Sequence, residues 1–274
     1  MGEGCGVIYK IDPRGRETVL YTFQGGADGG IPQGALVRDD AGNLYGTTLI
    51  GGDFSSQACL NYVNGCGVIF KVDRHGKETV LYTFNAIADG YSPTGLMRDR
   101  DGTLYGTSTY GGNSFQPIFE LGYGVVYKLD VSGKFTILHN FTGLTDGEFP
   151  TAPPLLIGKD LYGTASGGGT TLNSGYGVIF KLDRSGNDTV LYRFKGQADG
   201  SYPSSQLTLD EDGNLYGTAE MGGNFETSTC KLFDYGCGVV YKLDLHKKCD
   251  NDRHRHNDWP NIFSKPDDSD KDDR

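Results

Sequence analysis

The chain has 274 residues, a formal net charge of −10 and a sequence pI near 4.9. That balance argues against nucleic acid as the main partner, because phosphate binding needs a basic surface. It is compatible with cations or with neutral ligands such as glycans. No apolar stretch approaches the ~20 residues of a membrane span.

Three phrases recur in order. Gly-Val-Ile/Val-Tyr/Phe-Lys-x-Asp begins at Gly6, Gly67, Gly124, Gly177 and Gly238. Asp-Gly-x-x-Pro begins at Asp28, Asp89, Asp146 and Asp199, and Leu-Tyr-Gly-Thr at Leu44, Leu104, Leu161 and Leu215. The runs between them are short, rich in β-branched and aromatic residues, and bounded by Gly or Asp. They alternate in the manner of strands, with Val68, Phe70 and Val72 on one face and Ile69, Lys71 and Asp73 on the other. No 3.6-residue period is present in the repeats, so no helix is placed there. Four strands per copy, a to d, joined as an antiparallel meander, make the unit of a β-propeller blade.

In chain order, the sequence opens on strands c and d from Gly6, continues through three complete sets of four, and ends on a, b and c at Asp244. Three arrangements fit that count: a four-bladed ring with one strand left over, five blades of which two are incomplete, or a fragment of a longer propeller. The repeat region spans 1–245. The tail, 246–274, is charged and poor in apolar residues and is read as disordered. No leader is read at the start of the chain.

Copies differ mainly in one segment. From Leu-Tyr-Gly to the next Gly-Val the distances are 23, 20, 16 and 23 residues, so the b–c loop takes up the variation. In a propeller the b–c and d–a loops emerge on one face and the a–b and c–d turns on the other. The long-loop face is therefore where binding is expected. Cys59-x6-Cys66 and Cys230-x6-Cys237 sit at equivalent positions near the end of that loop. They read as disulfides, and so as a sign of an oxidising compartment. A metal site is the alternative, but x6 spacing without a nearby His suits zinc poorly. Cys5 matches Cys66 and Cys237 without a partner upstream, and Cys249 pairs with it or stays free.

The ordered phrases resemble the GloVer-type ("choice-of-anchor") tandem-repeat proteins over roughly residues 4–245, and more distantly the NHL-type propeller repeats. The resemblance implies bacterial proteins that are secreted or held at the cell surface, with largely undefined biochemistry.

Candidate binding residues fall in two groups. Asp28, Asp89, Asp146 and Asp199 recur in the d–a loop, where they form an acidic ring for Ca²⁺ or cap a turn that Gly and Pro complete. Phe54, Tyr62, Tyr110, Phe115, Phe225 and Phe233 in the variable loops offer a sugar-binding surface or pack on each other. The turns beginning at Asp39, Asp99 and Asp210 read as hairpin turns. Tyr45, Tyr105, Tyr162 and Tyr216 read as inter-blade packing, with the neighbouring Gly permitting close approach. The histidines form no cluster within the repeats, and no nucleophile elbow, phosphate loop or zinc-protease motif is present.

These readings combine into a non-catalytic, extracytoplasmic binding or scaffold propeller that needs no cofactor. Its ligand would be a glycan or protein on the long-loop face. The alternative is a propeller-type hydrolase or lyase with a cation, such as Ca²⁺, near the central channel. The oligomeric state is not legible from the residues.

Overall fold

Each repeat folds as an antiparallel meander. The computed structural model describes residues 4–55, 59, 64–86, 88–112, 122–171, 175–223 and 236–246. The first sheet holds two strands, β1 (Val7–Ile11) and β2 (Glu17–Thr22). Blade one follows as β3 (Gly30–Arg38), β4 (Leu44–Ile50), β5 (Val68–Val72) and β6 (Glu78–Thr83). Blade two is β7 (Tyr91–Arg98), β8 (Leu104–Tyr110), β9 (Val125–Leu129) and β10 (Phe135–Asn140). Blade three is β11 (Leu155–Ile157), β12 (Asp160–Ala165), β13 (Val178–Leu182) and β14 (Asp188–Arg193). In blade four strand a is split into β15 (Ser201–Pro203) and β16 (Thr208–Leu209), which pair in succession along β17 (Asn214–Met221). β18 (Val239–Asp244) completes that sheet. The fold is all-β and propeller-type, as the repeat predicts.

Strand c forms as the alternation predicts, and it is buried on both faces. Val68, Ile69, Phe70 and Val72 are all fully buried. The reason is position: strand c lies inside the blade, and both faces of the blade pack on a neighbour. Where a neighbouring strand is missing among the described residues, the same positions come into the open. Tyr9 on β1 is 54% exposed, against 2% or less for its equivalents Phe70, Tyr127, Phe180 and Tyr241. On β18, Val240 is 70% exposed, against 1% or less for Ile69, Val126 and Ile179.

The recurring phrases meet at the joint between blades. The Thr of Leu-Tyr-Gly-Thr crosses it: Thr47 Oγ1 donates to Pro93 O at 3.4 Å, Thr107 Oγ1 to Ala152 O at 3.0 Å and Thr164 Oγ1 to Ser205 O at 3.3 Å. All three threonines are buried. A second set of bonds joins the backbones. Ile31 N donates to Cys5 O at 2.7 Å, Phe149 N to Tyr123 O at 2.9 Å and Tyr202 N to Tyr176 O at 3.1 Å. The donor is the residue before the Pro of Asp-Gly-x-x-Pro, and it carries a positive φ in every copy: Ile31 54°, Ser92 56°, Phe149 56° and Tyr202 57°. That conformation is costly for a side-chain-bearing residue, on the order of 1–3 kcal/mol. It persists because the joint fixes both ends of the segment.

Close approach explains the invariant glycines. A Cβ at Gly124 would come within 2.6 Å of Pro150 Cδ, and one at Gly177 within 2.5 Å of Pro203 Cδ. The Gly of Leu-Tyr-Gly serves a different neighbour from the expected tyrosine. A Cβ at Gly46 would sit 2.6 Å from Phe70 Cζ, and one at Gly163 2.5 Å from Phe180 Cζ. The strand-c aromatic ring therefore lies across the strand-b glycine inside each blade.

Replacing Thr107 with Val should remove the bond to the buried Ala152 carbonyl and cost about 1–2 kcal/mol in urea or guanidinium unfolding. Thr107→Ser should restore most of that loss. Equal stability of the Val variant and the parent would contradict the role assigned to the joint.

Candidate functional site

On the long-loop face, the four repeated aspartates are built into their own turns. Asp28 Oδ2 accepts from Tyr21 Oη at 2.9 Å and from Gln24 N at 2.8 Å. Asp89 accepts from Tyr82 Oη at 2.6 Å and Asn85 N at 2.9 Å. Asp199 accepts from Tyr192 Oη at 2.8 Å and Lys195 N at 2.9 Å. In the remaining copy His139 stands where the others have Tyr; its Nε2 lies 3.2 Å from Asp146, which also accepts from Thr142 N at 2.9 Å and from the Thr142 hydroxyl. Asp89, Asp146 and Asp199 are buried and Asp28 is half-buried. Burial raises the Asp89 carboxyl above the usual carboxylate range despite its donors. At Asp146 burial acts the same way but is outweighed by His139 and Thr142, and the net shift is downward. Burial and the Asp28 carboxylate together push Tyr21 up to about 12.

The loop residues are placed unevenly. Cys59 and Cys66 form a disulfide, and both are fully buried. Cys237 is also disulfide-bonded, while the Cys230 half of the expected pair lies outside the described residues. Cys5 is a free thiol, half-buried, and Cys249 lies outside the described residues. Phe54 is 41% exposed. Tyr110 is stacked on Tyr91 at 5.3 Å and meets the edge of Phe149 at 5.4 Å, so its ring packs the joint of blades two and three. Tyr62, Phe115, Phe225 and Phe233 lie outside the described residues. Among the described residues, no group of three or more His, Cys, Asp or Glu side chains is placed to hold a metal ion.

The opposite face is made of tight turns, all but the a–b turn of blade three closed by an aspartate. Asp39 accepts from Asn43 N at 2.8 Å, Asn43 Nδ2 at 2.7 Å and Tyr45 Oη at 3.0 Å. Asp210 repeats the set with Asn214 N, Asn214 Nδ2 and Tyr216 Oη at 2.7, 2.8 and 2.9 Å. At Asp39 burial acts upward, but Asn43 and Tyr45 outweigh it and bring the carboxyl down to about 2. Asn43 and Asn214 thus have matching roles, and Asp210 is likewise held down to about 2, chiefly by the Asn214 side chain and N–H. Tyr45, Tyr105 and Tyr216 are therefore tied to a turn as well as packed, while Tyr162 is buried between blades. The Tyr45 and Tyr105 rings line clefts that open on this face. One, of about 420 Å³, runs between blades one and two past Tyr45, Lys71 and Arg98. The other, of about 690 Å³, runs between blades two and three past Tyr105, Lys128 and Arg184. Nothing in the sequence singles out this face, because its turns look uniform.

A family model of the Gloeobacter/Verrucomicrobia repeat matches residues 2–119 and 57–250, which is nearly the whole repeat region. The chain belongs to the Gloeobacter/Verrucomicrobia repeat family. No curated protein matches this member of the family. Among solved structures, the repeat is similar to a gluconolactonase from Xanthomonas campestris at 17% identity and TM-score 0.47, over 80% of this chain and 64% of that one. It is similar to a protein of unknown function from Dyadobacter fermentans at 10% identity and TM-score 0.49, over 78% of this chain and 65% of that one. A luciferin-regenerating enzyme aligns at 13% identity and TM-score 0.43, over 78% of this chain and 72% of that one. The chain spans less than two thirds of the gluconolactonase's length, and likenesses at this level carry no activity across to it. The Cys59–Cys66 disulfide fits an oxidising, extracellular environment. Among the described residues no helix is long and apolar enough to cross a membrane.

The turn aspartates set an acid limit on stability. Asp39 and Asp210 have folded pKa values of about 2, below the unfolded value, so their contribution is complete above about pH 4 and lost as pH falls towards 2. The unfolding midpoint should drop across that window, and the D39N/D210N variant should show a shallower drop; an unchanged slope would contradict the linkage. Separately, converting both Cys59 and Cys66 to Ser should lower stability by about 2.5 kcal/mol, the scale for so short a loop. Thermal melts with and without reductant measure it, and a melt indifferent to both changes would show the bridge to be dispensable.

Proposed function

We propose that this chain is a non-catalytic, extracytoplasmic binding or scaffold propeller that holds a glycan or protein partner on the face of its b–c and d–a loops. One observation supports the reading most. The acidic groups that recur on that face are already bonded within their own turns, each to a Tyr or His and to a backbone N–H. They serve the loop's shape in every blade alike. What remains to distinguish one blade from another there is the b–c loop, whose length varies from copy to copy. Rigid sheets presenting loops of unequal length are a common way to build a recognition surface. The disulfide at Cys66 shortens the free part of one such loop and lowers the entropy lost on binding. It also supports an extracytoplasmic setting.

A glycan array and a hydrolase and lyase substrate panel, each run with and without chelator, test the proposal. Binding should survive the chelator and should be lost when the loop after β4 is replaced by the shorter loop that follows β12. Turnover that the chelator abolishes would overturn the reading in favour of a cation-dependent propeller enzyme.

A further inference from the structure

The two clefts on the short-turn face are built from equivalent positions, yet they differ in what fills them. Between blades one and two, Arg98 lies over the Tyr45 ring, 5.8 Å from its centroid. Arg98 pairs in register with Leu104. The same register position in blade three, opposite Leu161, is Leu156. No guanidinium therefore covers Tyr105 from that position. The turn beside it has also changed. Blades one, two and four carry an Asp-closed turn between strands a and b, beginning at Asp39, Asp99 and Asp210. In blade three it is cut to Gly158-Lys159. Both changes enlarge the cleft, from about 420 Å³ between blades one and two to about 690 Å³ between blades two and three. The larger figure is within the usual range for a small-ligand site.

The repeat breaks at this cleft, and cations gather there. Arg100, Lys128, Lys159 and Arg184 line it, and none forms an ion pair among the described residues. Two equivalents of Lys128, in blades three and four, are engaged. Lys181 lies 2.6 Å from Asp160, and Lys242 lies over the Tyr216 ring at 5.6 Å. Three carboxylates, Asp99, Asp101 and Asp183, share the lining, so the four cations leave a formal excess of one positive charge in a chain whose net charge is −10. None of these acids forms an ion pair with them among the described residues. Asp99 accepts from Thr103 N at 2.9 Å, Asp183 accepts from Ser185 N, Asn187 N and Asn187 Nδ2 at 2.8 to 3.0 Å, and Asp101 is exposed at the rim.

We infer that the cleft between blades two and three binds an acidic oligosaccharide, one carrying carboxylates at intervals among free hydroxyls. Leu138, Leu156 and Leu161 give an apolar floor beside the half-buried Tyr105 ring, suited to the C–H face of a sugar. The unpaired Arg and Lys side chains suit carboxylates, and Arg can bind one with two parallel bonds. The carboxylates on the rim accept bonds from hydroxyls and repel a densely charged polyanion. This site lies on the face opposite the b–c loops, so it stands or falls separately from the binding proposed there.

Calorimetric titration with a tetragalacturonate, a neutral galactotetraose and a heavily sulfated tetrasaccharide tests the inference. The galacturonate should bind, weaken with added salt, and lose about tenfold or more in affinity in each of Arg184→Ala and Lys159→Ala. Both residues are exposed in turns, so the fold should be kept, which a melting curve checks. Lys71→Ala, in the smaller cleft, should leave binding unchanged. Leu156→Arg should close the site by restoring the arrangement seen over Tyr45. No binding, equal or tighter binding of the neutral or sulfated sugar, or indifference to the Arg184 and Lys159 changes would each overturn the inference.

Discussion

The joint between successive blades is the constraint on which the rest of the structure depends. A single four-stranded meander has two apolar faces and buries neither alone. Stacking buries both, but only if backbones approach closely and their polar groups find partners in the dry interface. The repeat meets both demands with a few residues. Thr47, Thr107 and Thr164 carry a hydroxyl into the interface and donate it to a carbonyl of the next blade. The residue before each Pro turns into the left-handed region, and in three copies its N–H reaches a carbonyl of the preceding blade. Gly124 and Gly177 leave room for the prolines that follow.

Much of this was legible in the residues. Strand order, the position of the long loops, the turns and the Cys59–Cys66 bridge all follow from spacing. What was not legible depends on pairs of residues far apart in sequence. The threonines recur as strictly as the tyrosines, which was a signal, but their acceptors lie 41 to 46 residues away and depend on how blades stack. Burial of Ile69, on the face it shares with Lys71, has the same cause. The equivalence of Arg98 and Leu156 is hidden by the shortened turn of blade three, which puts Leu156 five residues before Leu161 where Arg98 stands six before Leu104. Two of the candidate aromatics, Phe54 and Tyr110, take opposite roles: one is open to solvent and the other is locked in a joint.

A repeat protein of this kind separates architecture from recognition by symmetry. Groups present in every blade answer needs that every blade has, and the Asp-Gly-x-x-Pro aspartates belong with them. Recognition is sought where copies diverge. There are two such places on opposite faces: the b–c loops, which differ in length, and the cleft beside Leu156, where a turn is shortened and a covering arginine is absent.

A display-based scan that reads protease resistance and ligand binding for every single substitution addresses that separation directly. Substitutions at the shared threonines, glycines and turn aspartates should lower resistance and binding together. Substitutions in the b–c loops and at the rim of the larger cleft should lower binding alone. A shared-motif position, Asp89 or Asp199 above all, at which resistance is kept while binding is lost would contradict the account.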